Sequence, residues 1–471
     1  MKTCLRLLLL LALLSAGLLA GATLAIQSQC DQVTVQRELL TGDPAVAEEI
    51  ELNLPLTLAE QLFWNTAFPA NHPEEAETWF GTYLSYKPDL PVDFGSPLSI
   101  DFVSGYMSST YYLLDAYPDD PLSKPIQQAV DATPAGEERT FSSLLSDWYD
   151  AWPLEIYLSG YGLTQARLEE LFQSYFSIPV LPDVTLEITV GKTSDGDIDS
   201  LVVDTEHSYY INPTTYSVAR EGQLLFTFSN SYRESDGNRS LLLDGSHIPG
   251  GWGIYRLKFN QDGTDGTLET LCSLPEGSSI LEFWGSLDGE TLFLLTREES
   301  RLRLRVLDGE GTLLQTMDLL ALSAEESYMQ VYKGDDFFVP IVYGPRNEGC
   351  CYRFAVVAQG QEGWALAFTG DDREAFALGC GGFNWIGDYY YDNMDMAFNG
   401  ERLAVRDSNQ RNGSPFYLAV YSQAGLDYLA TYTHSLAQDG CLYSDGSFDF
   451  NGLRLNWETG TRLLQWAETG S

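Results

Sequence analysis

Basic residues are scarce: 26 lysines and arginines stand against 67 aspartates and glutamates, a net charge of -41. Such a surface repels phosphate backbones and anionic lipid headgroups, which excludes nucleic acid as a partner. Solubility of an exported protein accounts for the acidity more simply than a dedicated cationic partner does. Histidine is scarcer still, and none of His72, His207, His247 or His434 has a second histidine or a cysteine at metal-ligand spacing. There is no Cys-x-x-Cys, no Gly-x-Ser-x-Gly elbow and no phosphate-cradling loop, since Gly379-Cys380-Gly381-Gly382 lacks a following helix. Zinc, nucleophilic-serine and nucleotide chemistry thus lose their usual signals. Beyond Ile26 no run of 18 uncharged apolar residues occurs, so one membrane contact is the most the chain carries.

That one contact is at the start. Lys2 and Arg6 precede Leu7 to Ile26, twenty consecutive apolar or small residues. The run exceeds the roughly 7 to 15 residues of a signal-peptide core and approaches a bilayer span, which favours a retained anchor over a cleaved signal. Cleavage sites are present at Ala20-Gly21-Ala22 and Thr23-Leu24-Ala25. Either way the rest is exported, with the N-terminus cytoplasmic by the positive-inside tendency. A lipid anchor is rejected because Cys30 follows Gln27-Ser28-Gln29 rather than a lipobox. Cys4 precedes the run; the six cysteines beyond it can pair in 15 ways or stand as buried thiols.

Residues 31–180 read as an α+β region following the segment 1–30. Glu49 to Leu54 alternates strictly, so Ile50, Leu52 and Leu54 should share one buried face. Phe141, Leu144, Leu145, Trp148 and Tyr149 recur at helical spacing after Thr140, and a second helix is expected over 165–175 with Thr164 as its cap. After Pro182 helical spacing disappears, and residues 181–471 read as all-β. Glycine turns at 289, 334, 400 and 452 each open an apolar strand. In the first three units a second strand follows (Leu302 to Leu307, Tyr352 to Val357, Phe416 to Tyr421), then a further polar turn. That recurrence predicts a β-propeller-like domain of about six four-stranded blades, with a long pair of β-sandwiches as the alternative.

Asp195, Asp197, Asp199 and Glu206 carry the 1, 3, 5 and 12 spacing of a calcium loop. Ser200 stands where such a loop needs glycine, and the flanks read as strands, so a polar turn is the competing reading. No cofactor is otherwise expected. Trp385, Tyr389, Tyr390 and Tyr391, with Asp388, Asp392 and Asp395, form the densest aromatic and acidic cluster. Trp385, Tyr389, Tyr391 and Asp392 are the candidate ligand contacts, suited to stacking a sugar ring or peptide and bonding its polar groups; packing between blades is the competing role. A glycosidase-type carboxylate pair has no sequence signature here, and the repeated aspartate turn of sialidase-like propellers is absent.

The leucine-rich span, Gln32-Val33-Thr34-Val35, the turn Gly42 to Glu48, and Leu62-Phe63-Trp64-Asn65-Thr66 together resemble an uncharacterised family of membrane-anchored extracytoplasmic proteins of gut Firmicutes. The resemblance covers roughly residues 1 to 70. It implies one N-terminal anchor and an exported β-rich body, and brings no activity or catalytic residues. The sequence therefore leads to an exported, membrane-anchored, non-enzymatic binding protein for a protein, peptide or glycan on the outer side of the membrane. A secreted carbohydrate-active hydrolase or lyase using a carboxylate pair is the alternative.

Overall fold

The computed structural model describes residues 2–28, 30–58, 62–82, 96–102, 121–152, 154–160, 162–206, 213–233, 240–260, 265–286, 289–323, 326–334, 336–344, 352–361, 363–380, 395–407, 416–435, 454–455 and 464–467. The fold is mostly β, with antiparallel pairing throughout the named sheets. Two compact units divide the chain: residues 93–322 form one, and residues 1–92 with 323–471 form the other.

In the contiguous unit, β5 (Leu98–Phe102) pairs with β7 (Leu154–Leu158), and β6 (Glu138–Leu144), β8 (Thr185–Lys192) and β9 (Ile198–Glu206) form a three-stranded sheet. A four-stranded sheet follows, ordered β10 (Thr215–Arg220), β11 (Gln223–Phe228), β14 (Gly253–Phe259) and β15 (Gly266–Ser273). The short pair β12 (Ser231–Arg233) and β13 (Ser240–Leu242) lies in its connection. A second four-stranded meander contains β16 (Ser278–Gly285), β17 (Thr291–Glu298), β18 (Arg301–Asp308) and β19 (Leu313–Ala321).

Two longer helices belong to this unit, α2 (Ser123–Ala132) and α3 (Gln165–Tyr175). The expected cap of α3 is present: the Thr164 side chain accepts from the Arg167 amide at 3.4 Å. Leu168 and Phe172 face inward, and Phe172 stacks on Phe226 of β11 at 5.5 Å between centroids. The helix expected over 141–149 is not formed. Residues Glu138–Leu144 are strand β6, paired along its whole length with β8, and a 3-10 turn, Leu145–Asp147, follows. Leu145 is buried, and Phe141, Trp148 and Tyr149 pack on the same core, so strand plus turn brings to the core four of the five residues a helix would have brought, leaving Leu144 exposed. The decisive partner lies some 45 residues downstream, beyond the reach of local periodicity.

In the two-part unit, β20 (Ser327–Lys333), β21 (Phe337–Tyr343), β22 (Tyr352–Gly360) and β23 (Gly363–Asp371) form a meander, followed by the short helix α4 (Arg373–Ala377). The next meander, β24 (Asp395–Phe398), β25 (Leu403–Asp407), β26 (Phe416–Ser422) and β27 (Gly425–His434), gains β1 (Val35–Gly42) as a fifth strand beside β27. Conversely β2 (Ile50–Leu58), β3 (Leu62–Pro69) and β4 (Glu77–Thr82) receive β28 (Arg454–Leu455) and β29 (Leu464–Trp466) on β2. Ile50, Leu52 and Leu54 are all buried, as their alternation predicts. A self-contained 31–180 region is not what pairing produces: its early strands complete sheets with C-terminal ones, and β6 crosses the expected boundary to join β8.

The repeat glycines fall at equivalent places. Gly289, Gly334 and Gly400 lie between the first and second strands of their meanders, with φ of +72° at Gly289 and +97° at Gly400. Gly452 lies outside the described residues. Gly222, between β10 and β11 with φ +71°, holds the same place and was not part of the sequence repeat.

Helix α1 (Lys2–Gln27) covers the apolar run, with Leu10, Leu13, Leu14, Leu18, Leu19 and Leu24 exposed. The side chains of residues 2–5, 7–9 and 26 lie outside the described set. Among the described residues no helix is long and apolar enough to cross a membrane.

Candidate functional site on the β5–β7 sheet

The aromatic candidates Trp385, Tyr389, Tyr391 and Asp392 lie outside the described residues, as do Tyr390 and Asp388. Their neighbour Asp395 opens β24 and accepts from the Tyr332 hydroxyl at 2.5 Å, a bond joining two meanders.

Asp195 and Asp197 sit in the hairpin turn between β8 and β9, and Asp199 at the start of β9; all three are exposed. The turn closes by backbone bonds, Thr193 N–H to the Asp197 carbonyl at 2.8 Å and Gly196 N–H to the Thr193 carbonyl at 3.0 Å. Glu206 is at the opposite end of β9, paired with Thr185. It stands seven positions along the strand from Asp199, about 23 Å at ~3.3 Å per residue. The structure does not bring Glu206 to the other three. Among the described residues no group of three or more histidine, cysteine or acidic side chains is placed to hold a metal ion.

A site that sequence reasoning passed over lies on the open face of β5 and β7. Leu98, Ile100 and Phe102 on one strand, and Leu154 and Ile156 on the other, turn into the core. Alternation therefore sends Ser99, Asp101, Glu155 and Tyr157 to the opposite face. Register places Ser99 opposite Tyr157 and Asp101 opposite Glu155. Side chains so opposed have Cβ atoms about 4.5–5.5 Å apart, and two like charges in that relation destabilise a sheet. Opposing two carboxylates is not an arrangement that sheet stability calls for.

Neighbouring polar groups organise this face. Ser99 Oγ donates to Asp101 Oδ2 at 3.3 Å, and the Tyr157 hydroxyl donates to Glu155 Oε1. That bond, some burial, and the charges of Glu155, Asp101 and Glu169 push the Tyr157 hydroxyl up to about 12. Glu169 projects from α3, where Gln165 Nε2 reaches both its Oε1 at 2.8 Å and the Ile156 carbonyl at 2.7 Å. Tyr157 itself is 52% exposed. An accessible ring beside several acceptors suits a polyhydroxylated ligand, whose C–H face stacks and whose hydroxyls donate. The alternation was visible in Leu-Ser-Ile-Asp-Phe and Leu-Glu-Ile-Tyr-Leu; the register that joins them was not.

The other dense charged group, on β17–β19, is internally matched. Glu298 takes Arg303 Nη1 at 2.6 Å on Oε2 and Arg305 on Oε1, Thr296 Oγ1 donates to Glu298 at 2.9 Å, and Arg303 Nε reaches Asp318 at 2.7 Å. Arg305 and Glu298 are buried, so this network ties strands together.

No protein-family model and no curated protein matches the chain. Among solved structures, a protein described as a 6-phosphogluconolactonase from Bacteroides fragilis aligns at 9% identity over 82% of this chain and 95% of its own, with a TM-score of 0.27. One described likewise from Bacteroides uniformis aligns at 11% identity over 80% and 95%, with a TM-score of 0.26. An oligogalacturonate lyase in complex with manganese aligns at 10% over 63% and 62%, with a TM-score of 0.24. Overlaps this slight carry no argument about the present chain.

Proposed function

We propose that the chain is an exported, membrane-anchored binding protein whose successive sheets are blades of a β-propeller-like body. The observation that carries this reading is the repeated meander. Six sheets of three or more strands occur among the described residues, and four of them place a glycine turn between first and second strands. β1 adds to the outer strand of the β24–β27 sheet as a fifth strand, so early and late parts of the chain share one sheet. The exposed leucines of α1 favour contact with an apolar surface, although among the described residues no helix is long and apolar enough to cross a membrane.

The ligand class this reading favours is a glycan, because Tyr157 offers a ring and Asp101, Glu155 and Ser99 offer acceptors on one open face. The test is a screen of the purified protein against soluble glycans, peptidoglycan fragments and peptides, reading melting-temperature shift and product release together. A shift without turnover, abolished by Tyr157→Ala, is expected. Product release overturns the non-enzymatic reading.

The second reading is a carbohydrate-active hydrolase, favoured by one observation: Asp101 and Glu155 are paired across β5 and β7, which sets two carboxylates side by side on one face as glycosidases require. Release of reducing sugar that disappears in both Asp101→Asn and Glu155→Gln supports it.

A further inference from the structure

The last residue of β27, His434, is 1% exposed and stands where two sheets of the two-part unit meet. Its Nε2 lies 2.8 Å from Thr66 Oγ1 on β3, which in turn lies 2.8 Å from Thr78 Oγ1 on β4. Register pairs His434 with Val35 of β1. Just beyond it the strands are locked by a reciprocal pair, Ser435 N–H to the Thr34 carbonyl and Thr34 N–H to Ser435 Oγ, both at 2.9 Å. One imidazole thus spans from the β1–β27 edge to the β2–β4 sheet.

We propose that His434 is an acid-sensitive latch, whose protonation releases the β2–β4 sheet from the β1–β27 edge. A ring enclosed to this degree cannot hydrate a positive charge, so charging it requires the enclosure to open. Titratable and charged groups along the same seam include Arg37, Tyr428 and Tyr432. Arg37 of β1, two residues from Val35, directs Nη1 to the Asn71 carbonyl at 2.9 Å and Oδ1 at 2.7 Å, and so places a cation along the same seam. Tyr428 and Tyr432 of β27 share a bond at 2.8 Å and hand it on to the Ala70 carbonyl at 2.8 Å; they bring neutral hydroxyls. Thr66 and Thr78 bring only hydroxyls from β3 and β4. Burial correspondingly lowers the ring from 6.5 to about 4.

The sign follows from linkage. Below about pH 6.5 the opened state takes a proton that the closed state refuses, so closure weakens as pH falls from 6.5 toward 4. In the β16–β19 sheet, the carboxylates of Glu298, Asp308 and Asp318 are held below their ordinary values by bonds to arginine, Thr296 and Thr312, so their contacts persist through the upper part of that window.

The experiment is amide hydrogen exchange on the full chain at pH 7, 6 and 5, corrected for intrinsic exchange rates, with β16–β19 as an internal reference. Protection of β2–β4 and β1 is expected to fall more than tenfold between pH 7 and 5 while the reference holds, and to fall less than twofold in His434→Gln, which keeps a neutral hydrogen-bonding group. Equal loss in both sheets of the wild-type protein, or equal loss with and without His434, overturns the latch. Should His434→Gln fail to fold, the wild-type comparison of the two sheets still decides.

Discussion

The guanidinium of Arg220, at the end of β10, donates from Nη2 to the carbonyl of Gly289 and occupies the space a side chain at that glycine would need. A Cβ on Gly289 would come within 2.9 Å of Arg220 Nη1, and one on Gly309 within 3.2 Å of Nη2. One arginine from the β10–β11 turn thus fills a gap left by two glycines in the next meander.

Gly289→Ala is expected to destabilise by about 1–2 kcal/mol, because φ of +72° strains any other residue and the methyl group meets the guanidinium. Combined with Arg220→Ala, the steric part is already relieved, so the double variant should lose less than the sum of the singles. Urea unfolding of the three variants checks both statements.

Glu298→Gln should cost about 3 kcal/mol, because it leaves Arg305 enclosed without its counter-charge. Asp318→Asn, on the partly exposed side of the same network, should cost at most about 1 kcal/mol. Burial raises the Glu298 carboxyl, but bonds from Arg305 and Thr296 and the charges of Arg305 and Arg303 outweigh it, holding the group below its ordinary 4.5. Its contribution is therefore present above about pH 4.5 and lost as pH falls through the lower folded value. Glu298→Gln should flatten that acid limb of the stability profile.

Asp101→Asn removes one of two opposed like charges and should leave stability unchanged or raise it by up to about 1 kcal/mol. Glu155→Gln should bring the Tyr157 hydroxyl down from about 12 toward its ordinary 10, readable by carbon NMR of labelled tyrosine assigned with Tyr157→Phe. Both variants should weaken any glycan response while melting at or above the wild-type temperature. A melting temperature lowered by several degrees would show instead that this face serves the fold.

Leu464→Ala should destabilise by about 2–4 kcal/mol, since Leu464 is buried on β29 opposite Leu52 and packs with Ile50 and Leu54. Trp466, two residues on, donates from Nε1 to the Ala397 carbonyl of β24 at 3.1 Å. Exchange protection in both β2 and β24 should drop in this variant.

How far the sequence reached can be read from particular residues. Ile50, Leu52 and Leu54 announced their face by alternation, Thr164 announced helix α3, and glycines 289, 334 and 400 announced three meanders. All are local signals. Phe141 to Tyr149 misled because five apolar residues fit a helical stripe as readily as a strand followed by a turn, and only pairing with β8 chooses between them. Gly222 was missed because its surroundings, Arg-Glu-Gly-Gln, resemble the other turns only in backbone conformation. Asp101 and Glu155 stand 54 positions apart, and register alone makes them neighbours. The calcium spacing of Asp195 to Glu206 fails for the converse reason: an extended strand separates residues that a loop would gather.

The pairing of β1 with β27 and of β2 with β28 and β29 imposes an order on assembly. Residues 93–322 hold all the strands of their own sheets and can collapse as soon as they are available. Strands β1 and β2 must instead wait while more than 370 residues are delivered before their partners arrive. During that interval two apolar edges stand open, the state in which a chain of high contact order is most prone to pair with a neighbour instead of itself. A chain synthesised from its N-terminus passes through that state every time, which makes dilution or a chaperone during synthesis the condition on which its yield depends.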